Sequence, residues 1–140
     1  MQALDNEYVV RLYDIFPQGL GFVLVFEFMA SDLSEMIADV ENPLRAPQVK
    51  AYMTMLLKGT AYLHENSIMH RDLKPANLLI SAKGELKIAD LGLSRVFARN
   101  EGRLYSHQVA TRWYRAPELL YGARKYTGWS DSILRQKNAR

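Results

Sequence analysis

Asp72, Lys74 and Asn77 stand close together in the stretch IMHRDLKPANLLI, residues 68 to 80, between two short apolar runs. Asp72 and Asn77 are five residues apart on a segment with no regular period, so both can face one cleft. LLI (78 to 80) and LKIA (86 to 89) flank SAKGE, a turn containing Gly84, and read as a small hairpin. A hairpin returns the chain to its starting point, which brings Asp90 close to Asn77. Amide and carboxylate oxygens gathered this way suit Mg²⁺, a hard ion that takes one or two protein oxygens and completes its shell with substrate phosphates. Asp72 is then left to accept a proton, and Lys74 offers a positive charge two residues away. Each of these residue types alone is common in a solvated turn. Their combination is what points to chemistry.

The elements that must position this loop follow from the flanking pattern. YVVRLYDIF (8 to 16) is rich in β-branched and aromatic residues and reads as a strand. PQGLG reads as a turn, and FVLVFEFM (22 to 29) as the next strand. Ser31 is the expected cap of a short helix through LSEMIADV. Pro47 opens a longer helix to about residue 65, with Val49, Tyr52, Met53, Leu56, Leu57, Thr60 and Leu63 on one buried face. Residues 90 to 116 carry no stable period and read as a long ordered loop, and PELLYG as a short helix from Pro117. Trp113 and Tyr114 are expected to be packing aromatics. Strands, then helices, then a hairpin and a loop give an α+β arrangement.

Composition narrows the possibilities. Apolar residues make up 49% and charged residues 24% of the 140 residues, which suits a globular chain. No apolar run approaches the roughly 18 residues of a membrane span, and MQALDNEYVV lacks the pattern of a secretory signal. The absence of cysteine excludes disulfides and thiolate metal sites. The expected setting is cytoplasm and nucleus. The net charge of +3 arises at the end: residues 124 to 140 hold five bases and one acid, leaving the rest at −1. No broad basic face exists for nucleic acid.

The polar loop extends into a longer match. H-R-D-L-K-P-x-N at 70 to 77, Asp90-Leu91-Gly92 and Ala116-Pro117-Glu118 fall in the order of the catalytic loop, the D-F-G position and the A-P-E motif of protein kinases. With the flanking VFEFMASDL, ADLGLSR and VATRWYRAPELLYGA, the chain resembles the cyclin-dependent kinase group over about residues 5 to 126. The resemblance implies a partial protein-kinase-like fold. Residues 1–29 would be an N-lobe remnant with the hinge, 30–126 a partial C-lobe, and 127–140 a divergent basic tail.

It also implies transfer of the ATP γ-phosphate, with Mg²⁺, to Ser or Thr followed by Pro, and a cyclin-like activator. Asp72 would be the catalytic base, Lys74 would stabilise the transferred phosphoryl, and Thr111 would tie the activation segment to both. Asn77 and Asp90 would hold Mg²⁺. Phe26 would stand behind the nucleotide, Glu27 and Met29 would bond adenine through backbone groups, Leu79 would pack under the ring, and Asp32 would reach the ribose. Ser106 would be the activating phosphorylation site, its phosphate paired with Arg71 and Arg95. Arg115 would hold the carbonyl of Val109 away from substrate, which favours proline because proline has no N–H to leave unpaired.

Departures from the family are equally visible. The alignment starts after the family's αC helix, so the Gly-rich loop, the ATP-binding lysine and its glutamate partner are expected to be missing. Leu91 replaces the family's Phe. Glu118 is expected to lack its arginine partner. An inactive fragment that binds partners or competes with a full kinase is therefore the alternative expectation.

Overall fold

The computed structural model describes residues 4–96, 112–121, 123–125 and 128–131. Strand β1 (Leu12–Gln18) and strand β2 (Gly21–Phe26) form an antiparallel ribbon with Gln18 opposite Gly21. The turn is therefore Gly19-Leu20, shorter than the five-residue turn expected. Gly19 supplies the left-handed φ of 60° that such a tight connection requires. Pro17 lies inside β1, opposite Phe22. A two-stranded ribbon tolerates it because half of each strand's N–H groups point outward.

A second sheet carries the loop of interest. Strand β3 (Ser31–Asp32) pairs with β5 (Leu78–Ile80), which pairs with β6 (Leu86–Ile88), all antiparallel. A third, two-stranded pairing joins β4 (Ile68–Met69) to β7 (Arg95–Val96). Helix α1 spans Leu33–Ala38 and α2 spans Ala46–Glu65, while α3 is the short Pro117–Leu120. The cap of α1 is Asp32, not Ser31: its carboxylate accepts from the N–H groups of Ser34 and Glu35 and from the Ser34 hydroxyl. The side chain one residue closer to the helix has the shorter reach to those donors. At α2, Gln48 Oε1 accepts the Arg45 N–H at 3.0 Å, and Pro47 sits in the first turn.

The core lies where α2 crosses the β5–β6 hairpin. Tyr52, Leu56 and Leu63 of α2 pack with Val9, Leu73, Leu78, Ile80, Leu86 and Ile88. Val49 and Leu57, expected on the buried face, are 44% and 54% exposed. Gly59 is buried instead, because the face turns toward the segment before β1. A Cβ at Gly59 would lie 2.9 Å from the Tyr8 carbonyl oxygen and 2.9 Å from Ile88 Cδ1. The backbone at Tyr8 cannot retreat, since its carbonyl also accepts the Ile88 N–H at 2.8 Å. Gly59→Ala gains about 1 kcal/mol of helix propensity but overpacks this contact at a cost of about 1–3 kcal/mol. The expected net result is a lower urea midpoint, and a raised midpoint would contradict the close approach. Trp113 is 79% exposed, so it does not pack as expected. Among the described residues no helix is long and apolar enough to cross a membrane.

Candidate active site

The segment from His70 to Asn77 is held from below by one carboxylate. Asp131, 6% exposed, accepts the Arg71 N–H on Oδ1 at 2.7 Å and the His70 N–H on Oδ2 at 2.8 Å. His64 Nε2, near the end of α2, meets the same Oδ2 at 3.0 Å. Asp131, in the segment expected to be a divergent tail, therefore lies under the loop in the described structure. The neighbouring Ser130 hydroxyl donates to Glu118 Oε1 at 2.7 Å, so Glu118 has a partner, though not an arginine.

His70 is fully buried and its tautomer follows from its neighbours. The Asp72 N–H can only donate, so Nδ1 accepts it at 3.2 Å; the Ala89 carbonyl can only accept, so Nε2 donates to it at 2.8 Å. The ring thus ties the loop to the residue before Asp90. Arg71 adopts a left-handed φ of 69°, costly for a side chain of this size. It is held there through its N–H on Asp131 and through Nε, which donates to the Leu93 carbonyl at 2.7 Å.

Above this scaffold the reactive groups converge. Asp72, 5% exposed, receives Lys74 Nζ on Oδ2 at 2.8 Å. Asn77 Nδ2 donates to the Asp72 carbonyl at 2.9 Å and to its Oδ2 at 3.3 Å. With both amide hydrogens committed to Asp72, Asn77 Oδ1 is the atom left for a cation. The Ala89 N–H donates to the Asn77 carbonyl at 2.9 Å, which closes the hairpin and sets Asp90 alongside. Asp90 is exposed, with φ 59°, and its Oδ1 accepts the Gly92 N–H at 3.2 Å. No described residue donates to its Oδ2. Among the described residues no three His, Asp or Glu side chains gather as a cluster. One amide and one carboxylate oxygen fit Mg²⁺, which keeps most of its shell for water and phosphate. Leu91 is partly buried and packs against the core.

A second set of residues lines the connection from β2 to β3. Phe26 is 49% exposed. The Glu27 carboxylate is clamped: Oε1 accepts the Arg11 N–H at 2.8 Å, and Lys87 Nζ reaches Oε1 at 3.0 Å and Oε2 at 2.7 Å. Burial opposes ionisation of Glu27, but the bond from Lys87, the bond from Arg11 and the charges of both outweigh it and hold its pKa below the usual glutamate value. Asp32 is likewise lowered, chiefly by the Ser34 hydroxyl bond. All bonds described for the Asp32 carboxylate fall on Oδ1. Leu79 lies opposite both Asp32 and Lys87, on the side of β5 away from the buried Leu78 and Ile80. Met29 is half-buried just before β3. Lys87 was not singled out from the sequence, where a lysine in LKIA carries no distinguishing signal.

The remaining predicted residues do not join this cluster in the described structure. Arg95 is exposed and its Nη1 donates to the Ser94 carbonyl at 3.1 Å, while Arg115 is half-buried. Ser106, Val109 and Thr111 lie outside the described residues.

A catalytic-type loop anchored under a β-hairpin, beside a strand-to-helix hinge, defines a class. A family model for the protein kinase domain matches residues 1–132, and the chain belongs to that family. The similar curated relatives include kinases of the cyclin-dependent type. Cyclin-dependent kinase 20 of Danio rerio is 74% identical over 122 residues, covering 87% of this chain and 36% of the relative. Cyclin-dependent kinase 20 of Homo sapiens is 67% identical over the same length, with 87% and 35% covered. The chain thus spans about a third of the length of the curated relatives it matches. Among solved structures, a chain of the CAK complex of Chaetomium thermophilum bound to ATP-gamma-S is similar at a TM-score of 0.83 and 45% identity, over 91% of this chain and 40% of that one. A chain of the yeast RNA Pol II CTD kinase CTDK-1 complex is similar at 0.84 and 37% identity, over 93% and 42%. The fold is the α+β arrangement of a partial protein kinase domain.

Proposed function

We propose that this chain carries the catalytic-loop portion of an ATP-dependent serine/threonine kinase that phosphorylates Ser or Thr followed by Pro. The observation that supports this best is the shared bonding of Asp72, Lys74 and Asn77, with Asp90 set beside them by the Ala89–Asn77 bond. Asp72 takes the proton of the substrate hydroxyl. Lys74 offsets charge on the phosphoryl in transit, and Asn77 Oδ1 and the Asp90 carboxylate hold Mg²⁺. When bound, the ion neutralises charge on the phosphate oxygens.

The hinge serves the nucleotide, with adenine on the backbone of Glu27 and Met29, Phe26 behind it, Leu79 beneath and Asp32 at the ribose. ATP is favoured as donor because a similar solved kinase complex is bound to ATP-gamma-S. Thr111 links the activation segment to the loop, and phosphorylated Ser106 pairs with Arg71 and Arg95. Arg115 turns the Val109 carbonyl away from substrate, so a residue other than proline would bury an unpaired N–H at a cost of about 1–3 kcal/mol. The names of the relatives favour a cyclin-like activator, and the proposed setting is cytoplasm and nucleus.

The test is transfer from Mg-ATP to a Ser-Pro peptide and to its Ser-Ala counterpart. The expected preference for Ser-Pro is about tenfold or more, the equivalent of one unpaired amide. Equal transfer to both peptides would remove the proline rule. Failure to bind nucleotide at all would remove the kinase activity from this chain and leave the partner-binding alternative.

A further inference from the structure

The backbone around Glu27 breaks a rule of antiparallel pairing. Residues opposite each other in a hydrogen-bonded pair exchange two bonds, each N–H meeting the other's carbonyl. Arg11 and Glu27 continue the β1–β2 ladder just beyond Leu12 and Phe26, and one of the two bonds is present: the Glu27 N–H donates to the Arg11 carbonyl at 3.0 Å. The return bond is diverted. The Arg11 N–H donates at 2.8 Å to Glu27 Oε1, the side chain, and not to the Glu27 carbonyl. No described backbone N–H donates to that carbonyl.

The diversion is fixed by Lys87. Its ammonium contacts both carboxylate oxygens, at 3.0 and 2.7 Å, and the two side chains are only 15% and 16% exposed. An ion pair this sheltered is screened little by solvent. It comes from β6, the strand that leads to Asp90, so the hinge and the loop are tied by one contact.

We propose that Glu27 and Lys87 are positioning residues that keep the Glu27 backbone carbonyl open as an acceptor for an N–H of the bound base. The Glu27 carboxylate takes the ladder proton that would otherwise close this carbonyl, and Lys87 holds the carboxylate in place. The inference rests on the kinase reading for the identity of the ligand as an adenine nucleotide, whose exocyclic amine is the matching donor. It assigns the two side chains a role that a simple tie between strands would not have.

Two triphosphates separate these roles: ATP, and purine riboside triphosphate, which lacks the exocyclic amine. In Glu27→Ala the Arg11 N–H is free to pair with the carbonyl of residue 27. Calorimetric affinity for ATP is then expected to fall about five- to tenfold, the worth of one net hydrogen bond, with the amine-free analogue unchanged. Glu27→Gln retains an acceptor for Arg11 and is expected to keep ATP affinity, while Lys87→Met shifts it in the same direction as Glu27→Ala but less. Equal losses for both nucleotides in Glu27→Ala, or no loss for ATP, would overturn the proposal. A ligand-free measurement stands beside this: the NMR coupling across a hydrogen bond from the Arg11 N–H to the Glu27 backbone carbonyl. It is expected to be absent in the wild-type chain and present in Glu27→Ala. Its presence in wild type overturns the proposal whatever the nucleotides do. A wild-type chain that binds neither triphosphate sinks the kinase reading instead.

Discussion

Asp131→Ala is expected to lower the stability of the chain by about 3–5 kcal/mol, a large part of the roughly 5–15 kcal/mol of an ordinary domain. The substitution removes one acceptor group and strands two buried donors, the N–H groups of His70 and Arg71. Each buried amide left unpaired costs about 1–3 kcal/mol. The loss of the His64 contact adds to this, and Arg71 loses one of the bonds that hold its left-handed backbone. Asp131→Asn should cost less, because one oxygen survives to accept a backbone N–H, although the amide nitrogen then meets the other donor and leaves it unpaired. Urea denaturation gives the magnitude, and hydrogen exchange gives the location, with loss of protection concentrated at His70 and Arg71. A change of less than about 1 kcal/mol would mean that the loop holds its shape without this carboxylate.

Asp72→Asn is expected to reduce phosphoryl transfer about 10²- to 10⁴-fold, the usual contribution of a general base, with little change in nucleotide affinity. Asparagine keeps the shape of the side chain and an oxygen for Lys74 Nζ, so the bonds that order the loop at Lys74 and Asn77 can persist. What it loses is the capacity to take a proton. The measurement is kcat on a Ser-Pro peptide alongside the urea midpoint and the ATP affinity of the same variant. A kcat within about tenfold of wild type would assign the proton to another group. A collapse of stability would show Asp72 acting chiefly through structure.

Much of this was legible along the chain because the signals are local. The strands around Gly19, the hairpin around Gly84 and the long helix after Pro47 each follow from turn chemistry and apolar period within a short window. The hairpin also sufficed to place Asp90 next to Asn77, since two antiparallel strands must end where they began. Errors occurred where partners lay outside the window. Val49 and Leu57 have the period of a buried face, yet the helix turns Gly59 inward, because the Tyr8 backbone and Ile88 approach closer than any side chain allows. Trp113 has the composition of a core residue and stands in solvent.

By itself, the sequence determined the family, the order of the motifs and the chemical types brought to the loop: a carboxylate, an ammonium and the oxygens for a cation. Only the tertiary structure decided what holds them. Asp131 lies 60 residues beyond Arg71, and its role exists only when the chain closes beneath the loop. The tautomer of His70 is set by an amide on one side and a carbonyl on the other. The Glu27 carboxylate takes a ladder proton only because Lys87, 60 residues away, holds it there. Spacing along a chain reports which groups are present. Buried donors and acceptors find their partners in space, and that pairing fixes the geometry.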